Sequence, residues 1–583
     1  PDHQRLLSRL PAGLRQMLPL RGMGARNARL VFERLGISSV EQLEWAARNG
    51  VLAQVEGITP RTVERLINHL DQLRLGDAPR VLLADALEIG ARLVSWMKDD
   101  PLVLRAEQTG SARRRKETVG DLDVLVATQQ PRRVAARFVG FPGVKEVLLE
   151  GSSRASVILD SGLQADLRTV IVENWGAGLH YFTGSRAHNI QLRLRANRRD
   201  LSISEHGIYE QVLKGTKNSE ANRRIARRMS AGTEEADVFH AVGLPFIAPE
   251  LRNGDGEIEA ADAGRLPLLV DDAHLVADHH LRASSAAMLS SLLQVLKLAP
   301  APLAWVCWLR PLADVVDAAA RARFRREARA VGERFGVHVF CGVECSVDVD
   351  GHAVIDDAVR ADVDVVLADC SVPAGVELDE AAATKRLITL IESQRIDGLS
   401  RVLGRRLLVD DGVALDLHAV LLRCARRGVF VEVSGEPDRL DLDFRGCRIA
   451  RDVGALLGIT ARADDIVGID RRRFAVWQAR RGWVTPASVL NTLDVGAVRR
   501  RFGRGGHTAI PDGDVDLAGP LTVTALPAAA VVVERDGLEV PLSAEMQARV
   551  QAFLMGGVDD ELKKLLERRG GNALQTAFAL LAG

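Results

Sequence analysis

The run GSARRRKETVGDLDVLVAT at residues 110–128 constrains this chain more than any other stretch, because a small-residue turn and a basic run lead straight into two alternate aspartates at the head of an apolar strand. Successive side chains on a β-strand face opposite ways. Asp121 and Asp123 therefore share a face and can hold the same cations, while Val124, Leu125 and Val126 anchor the strand in a core. Upstream, Gly110 lets backbone N–H groups approach a phosphate and the Ser111 hydroxyl can donate to it. Arg113, Arg114, Arg115 and Lys116 add positive charge beside them.

An Asp-x-Asp pair alone more often marks a surface pair on an edge strand, so phosphoryl chemistry requires a third carboxylate. Asp166 is placed for it, at the middle of the strand-like run 163–172 with Arg168 on the same face. An aspartate inside an apolar strand is costly unless it is paired or binds metal. Carboxylates, a phosphate cradle and basic residues together suit divalent ions about 3.5–4 Å apart, which activate an attacking oxygen and neutralise a leaving one.

Taken in order, Gly110-Ser111, Gly120-Asp121-Leu122-Asp123, Asp166-Leu167-Arg168 and Tyr181-Phe182-Thr183-Gly184-Ser185 resemble the palm and thumb motifs of the family X DNA polymerases. The bacterial kind, in which a polymerase-and-histidinol-phosphatase (PHP) domain follows the polymerase, is the nearest in pattern, and the resemblance runs from about residue 14 to about residue 492. It implies a multidomain α/β fold: helix-hairpin-helix fingers over 1–80, a nucleotidyltransferase palm over 81–185, a thumb and linker over 186–264, and a PHP-like βα barrel over 265–503. Residues 504–583 form an extension that resembles nothing known.

The resemblance also implies an activity, that of a template-directed DNA polymerase filling short gaps in repair, with deoxynucleoside triphosphates and gapped or primer-template DNA as substrates. Two divalent ions, Mg²⁺ or Mn²⁺, would sit on Asp121, Asp123 and Asp166. The triphosphate falls to Gly110, Ser111, Arg114 and Gly120, the incoming sugar to Tyr181, Phe182 and Gly184, the base to Asn189, and DNA to Arg168 and Arg193. His206 stands where relatives usually carry Tyr. Two other readings share some of these residues: a nucleotidyltransferase acting on RNA ends or small molecules, and a catalytically silent DNA-binding scaffold. The hairpin and the intact carboxylate trio argue against them.

Composition sets the outer bounds. The 583 residues are 47% hydrophobic and 26% charged, which suits a soluble globular chain of several domains. No apolar run reaches the roughly 20 residues that span a bilayer, and no export signal opens the chain, so a cytoplasmic protein without a membrane partner is expected. All six cysteines follow residue 300 without a Cys-x-x-Cys pair, which argues against a disulfide framework or zinc ribbon. The zero net charge hides an asymmetry: residues 1–250 carry 36 Lys and Arg against 29 Asp and Glu, and the remainder 41 against 48, so a polyanion is drawn to the first part.

Periodicity predicts helices at 11–17, 25–35, 40–49 and 62–73. Between the first two, Gly22 and Gly24 resemble a helix-hairpin-helix turn, where N–H groups at a helix start bind a DNA phosphate. Nothing here matches the lysine-bearing lyase domain of some bacterial relatives, so deoxyribose-phosphate lyase activity is not expected. A helix is predicted at 81–99, with palm strands near 121–127, 144–149, 155–160 and 164–172. Thr183-Gly184-Ser185 makes a good cap for a helix to about Ala196, on which Arg186, Asn189 and Arg193 share a face. Lys214, Lys217, Arg223, Arg224, Arg227 and Arg228 read as a thumb region whose arginines line one helix face.

Barrel strands are predicted at 267–270, 304–308, 337–343, 363–368, 430–433 and 455–460. Against the PHP pattern His280 and Glu344 are kept, but Arg282, Trp308-Leu309, Ser371, Arg401 and Arg462-Ala463-Asp464 stand at the other ligand positions. Asp278, His279 and Asp464 are the remaining substitutes. The barrel is therefore expected to hold no metal cluster and cleave no phosphoester, and to serve as a brace or a surface for DNA or repair-protein partners. The extension reads as strands near 521–533 and helices from 543.

Overall fold

In the palm, alternation along residues 154–159 and 164–170 turns one face of the sheet into the core. Val81–Leu82 (β1) leads into the helix Leu83–Lys98, which buries Leu83, Ala86, Leu93 and Met97 at helical spacing. The strands that follow are Arg105–Gln108 (β2), Thr118–Val119 (β3), Asp121–Ala127 (β4), Val144–Glu150 (β5), Arg154–Leu159 (β6) and Gln164–Val170 (β7). Their hydrogen-bonded order is β2-β4-β7-β6-β5, so the two aspartate-bearing strands are neighbours. On β7 Ala165 and Leu167 are buried, while Asp166 and Arg168 alternate with them on the other face.

This computed structural model describes residues 80–210, 232–299, 301–373 and 375–502, parts of 17–67, and the backbone of 227–228, 532–535 and 538–541. Gly22, Gly24, Lys214, Lys217, Arg223 and Arg224 lie outside the described residues, as do the helices expected at 11–17 (apart from Met17) and from 543. The chain divides into two units, 1–80 with 158–164, and 81–157 with 165–583. In the first, the helices Ala25–Leu35 and Val40–Arg48 gather Met17, Met23, Ala28, Val31, Leu43, Leu52 and Leu66 into a small core.

In the second unit the palm passes into the helices Trp175–Thr183 and Arg186–Asn197. The latter is capped by the Ser185 hydroxyl, which accepts the His188 N–H at 3.3 Å. A small sheet follows: Leu201–Ser204 (β8), Gly207–Glu210 (β9) and Arg227–Arg228 (β10), all antiparallel. Here the expected helix face is corrected. Arg227 and Arg228 pair with Glu210 and Tyr209 as a strand, because β9 leaves an open edge to pair with; side-chain spacing alone cannot register such an edge.

The last domain is a parallel sheet in sequential order: Ala277–Leu281 (β11), Trp305–Pro311 (β12), His338–Ser346 (β13), Val365–Asp369 (β14), Gly398–Ser400 (β15), Phe430–Ser434 (β16) and Leu457–Thr460 (β17). The first barrel strand is not 267–270 but β11, whose Asp278, His279 and His280 are fully buried. Three polar residues in a row read as ligands, not as a strand. β15 is short, begins with Gly398 beneath the Phe430 ring, and was not expected.

The barrel is nearly closed, and one side chain bridges its seam. Asn491 donates from Nδ2 to the carbonyls of Ala277 (3.0 Å) and Ile459 (2.8 Å), and its Oδ1 accepts the Ile459 N–H at 2.8 Å. Backbone groups of the first and last strands are thereby paired where no neighbouring strand reaches them. Replacing Asn491 with Leu leaves these groups buried and unsatisfied. It is expected to destabilise the barrel by at least about 2 kcal/mol, read as a lower denaturant midpoint at unchanged slope.

Candidate active site

Asp121 and Asp123 project from β4 and Asp166 from β7, and one carboxylate oxygen of each lies within 4.8 Å of the others. The Asp123 pKa is pushed up to about 7, first by burial and then by the charges of Asp121 and Asp166, with Arg168 and Arg114 pulling the other way. A cluster of hard oxygen donors carrying this much mutual repulsion fits a divalent cation. The Ser156 hydroxyl donates to Asp166 and fixes its orientation.

Gly110 has a second reason to be glycine. Its φ is +62°, and a Cβ there would stand 2.1 Å from Asp123 Oδ2, so the turn leaves room for the carboxylate itself. The Thr109 N–H donates to the Asp123 carbonyl at 2.7 Å, tying this turn to β4. The Ser111 hydroxyl is buried with no hydrogen-bond partner, which leaves it for an acceptor such as a phosphate oxygen. Gly120 lies between β3 and Asp121.

The basic run is not one phosphate patch. Arg113 donates to Glu235 Oε1 and Oε2 at 2.8 and 2.7 Å, to Thr183 Oγ1 at 2.6 Å and to Glu107 at 3.1 Å. Arg115 is half-buried with its guanidinium 4.0 Å from the centre of the Trp477 ring, and desolvation lowers its pKa to about 10. Arg114 lies between them, donates to the Thr183 carbonyl, and interacts electrostatically with Asp123 and Asp121.

Beyond the palm, the Tyr181 and Phe182 rings meet edge to face at 5.2 Å and are half-buried. Gly184 has φ +70° and precedes a cis peptide to Ser185; a Cβ on it would meet Arg114 at 3.0 Å. Asn189 is buried and donates to the Tyr181 carbonyl at 2.8 Å. Arg193 is exposed one turn on, its Nε 3.3 Å from the Asn189 carbonyl. Arg168 is turned inward, 5.8 Å from the centre of the Phe182 ring and close enough to lower the Asp123 pKa.

Sequence reasoning missed the carboxylates that hold this apparatus. Glu235 joins Arg113 to the fully buried Arg252, whose Nη1 stands 2.5 Å from Glu235 Oε1. In the barrel, Glu432 sits between His280 (2.6 Å), His279 (3.3 Å) and Arg462 (2.8 Å). Arg462 also reaches Glu344 at 2.9 Å and Glu436 at 3.2 Å. Burial works to lower the Arg462 pKa, but the three glutamates outweigh it and raise it. Neither Glu235 nor Glu432 lies in a motif; only partners distant in sequence reveal them.

Residues 178–253 match the family model described as DNA polymerase beta thumb. A Bacillus subtilis protein described as DNA polymerase/3'-5' exonuclease PolX is 26% identical over 502 residues, covering 84% of this chain and 84% of that one. Rattus norvegicus DNA polymerase lambda is 27% identical over 230 residues, covering 35% of this chain and 38% of that one. Two structures of Leishmania infantum polymerase beta also align. A ternary gap complex is 18% identical with TM-score 0.30, covering 43% of this chain and 94% of that one. A ternary P/T complex is 20% identical with TM-score 0.29, covering 42% and 100%. Among the described residues no helix is long and apolar enough to cross a membrane. With its aspartate trio, its matched thumb segment and a relative aligned over most of its length, the chain is similar to the bacterial family X DNA polymerases.

Proposed function

We propose that this chain extends primer 3′ ends in gapped DNA by template-directed, metal-dependent nucleotidyl transfer from deoxynucleoside triphosphates. The observation that carries the reading is the convergence of Asp121, Asp123 and Asp166 beside a buried, unpartnered Ser111 hydroxyl. A pair of Mg²⁺ or Mn²⁺ ions bound there supplies charge neutralisation and a lowered pKa for the primer hydroxyl. The three aspartates hold them, and Ser156 keeps Asp166 aimed at the site. Ser111 and the backbone at Gly110 and Gly120 bind phosphate oxygens, and Arg114 offsets the triphosphate charge. Tyr181, Phe182 and Gly184 support the sugar, Asn189 the base, and Arg193 the template strand. Arg168 acts from within the site, and Gly22 and Gly24 would hold DNA phosphate at the hairpin.

Single-nucleotide insertion on gapped DNA tests the reading. Asp123→Asn is expected to abolish insertion with gapped-DNA affinity kept within a few-fold, since it removes a metal ligand and no phosphate contact. Gly110→Ala should also abolish it, because the new methyl displaces the Asp123 carboxylate. Insertion at the parent rate by both variants would refute the assignment; insertion indifferent to the templating base would favour an end-modifying transferase.

Metal binding should follow the Asp123 proton. Its raised pKa means that a proton occupies the carboxylate below about pH 7 and must be displaced by the cation. Apparent Mn²⁺ affinity should therefore fall by up to about tenfold per pH unit below that point and level off above it. Calorimetric titration between pH 6 and 8 measures this, and a flat profile would remove Asp123 from the ligand set.

We infer also that the barrel cleaves no phosphoester. In support, the guanidinium of Arg462 already stands among Glu344, Glu432 and Glu436 and repels a cation. Protein in which Asp121, Asp123 and Asp166 are all replaced by Asn should carry less than stoichiometric Mn or Zn by elemental analysis, and any exonuclease activity that persists in Asp123→Asn would overturn the inference.

A further inference from the structure

The loop that would carry the triphosphate is clamped on both sides of Arg114. On one side Arg113 is fixed to Glu235 of the thumb. On the other side the anchors belong to the barrel. Arg115 adopts a left-handed φ of +57° and lays its guanidinium on Trp477, in the helix Arg472–Arg481. Two residues on, Glu117 accepts a forked pair of hydrogen bonds from Arg405, at 3.2 and 2.8 Å, with Arg481 4.0 Å away. Arg405 and Glu117 are both largely shielded from water, so this is not a solvent-screened surface pair.

The clamp reaches the cradle through the backbone. The Lys116 N–H donates to the Ser111 carbonyl at 3.1 Å and the Arg114 N–H to the Gly110 carbonyl at 3.3 Å, so a shift of 115–117 moves 110–111 as well. The same barrel helix holds the exit from the thumb, where Arg480 pairs with Glu250 at 2.9 Å.

We propose that Arg405 and Trp477 of the barrel are positioning residues for nucleotidyl transfer, holding the loop 110–117 in its triphosphate-binding shape through Glu117 and Arg115. The proposal rests on the polymerase reading. Its physical basis is preorganisation: donors fixed before the substrate arrives need no reorganisation when it binds, and a small misplacement weakens all of them together.

The test is steady-state insertion by the full chain on gapped DNA, with DNA affinity measured separately. Arg405→Ala, Glu117→Gln and Trp477→Leu should each raise KM for the nucleotide by about tenfold or more while the gapped-DNA Kd stays within about twofold. Trp477→Phe, which keeps an aromatic face for Arg115, should stay near the parent. Exchanging the pair as Glu117→Arg with Arg405→Glu should recover part of the loss. Where Arg405→Ala does not fold, Arg405→Lys serves, since it keeps the charge but loses the fork, and it too should raise KM. Folded variants that keep the parent KM and change only thermal stability would overturn the proposal. A parent that inserts no nucleotide would instead refute the polymerase reading, and this one with it.

Discussion

Three carboxylates whose ligand oxygens lie within 4.8 Å of one another set the conditions for everything around them. Ionising Asp123 in this setting costs on the order of 4 kcal/mol relative to water, given a pKa near 7. The fold tolerates that cost because β4 and β7 are held as neighbours by a core that includes Leu122, Val124, Leu125, Ala165 and Leu167. Gly110 then has to lack a side chain, since the oxygen of Asp123 occupies the place its Cβ would take.

The aspartates and the turn before them were legible in the sequence because they obey local rules: period two on a strand, glycine where the backbone turns, a carboxylate inside an apolar run. The arginines were not. Arg113, Arg114 and Arg115 are chemically identical and adjacent, yet one is tied to the thumb, one interacts with Asp123 and Asp121 and one stacks on a barrel tryptophan. What distinguishes them is the location of Glu235 and Trp477, more than one hundred residues away in the chain. Local pattern carries no information on partners at that distance.

The barrel shows the same division. A strand such as β14, with Val365, Val366, Leu367 and Ala368 in a row, announces itself, whereas β11 was passed over for the apolar run at 267–270. Its Asp278 accepts from the Thr460 hydroxyl at 2.7 Å and from the His280 N–H at 3.0 Å, and His280 pairs with Glu432. A strand can be fully buried and polar when its neighbours supply partners, and those neighbours are β16 and β17, at the far end of the domain.

That internal pairing bears on what the barrel contributes to the thumb and to the loop 110–117. Arg462 and Arg401 join Glu344, Glu432, Glu436 and Asp369 into one network at the ends of the strands, so charges of the barrel itself pair across its polar centre. Its outward side chains are another matter: Trp483 completes the hydrophobic cluster of the thumb with Val238, Phe239 and Leu244, and Arg405 and Arg480 pair with Glu117 and Glu250. Removing the barrel would expose that cluster and leave both glutamates without these arginine partners. The thumb and the loop 110–117 are thus built against the barrel, and their folding energetics cannot be separated from it.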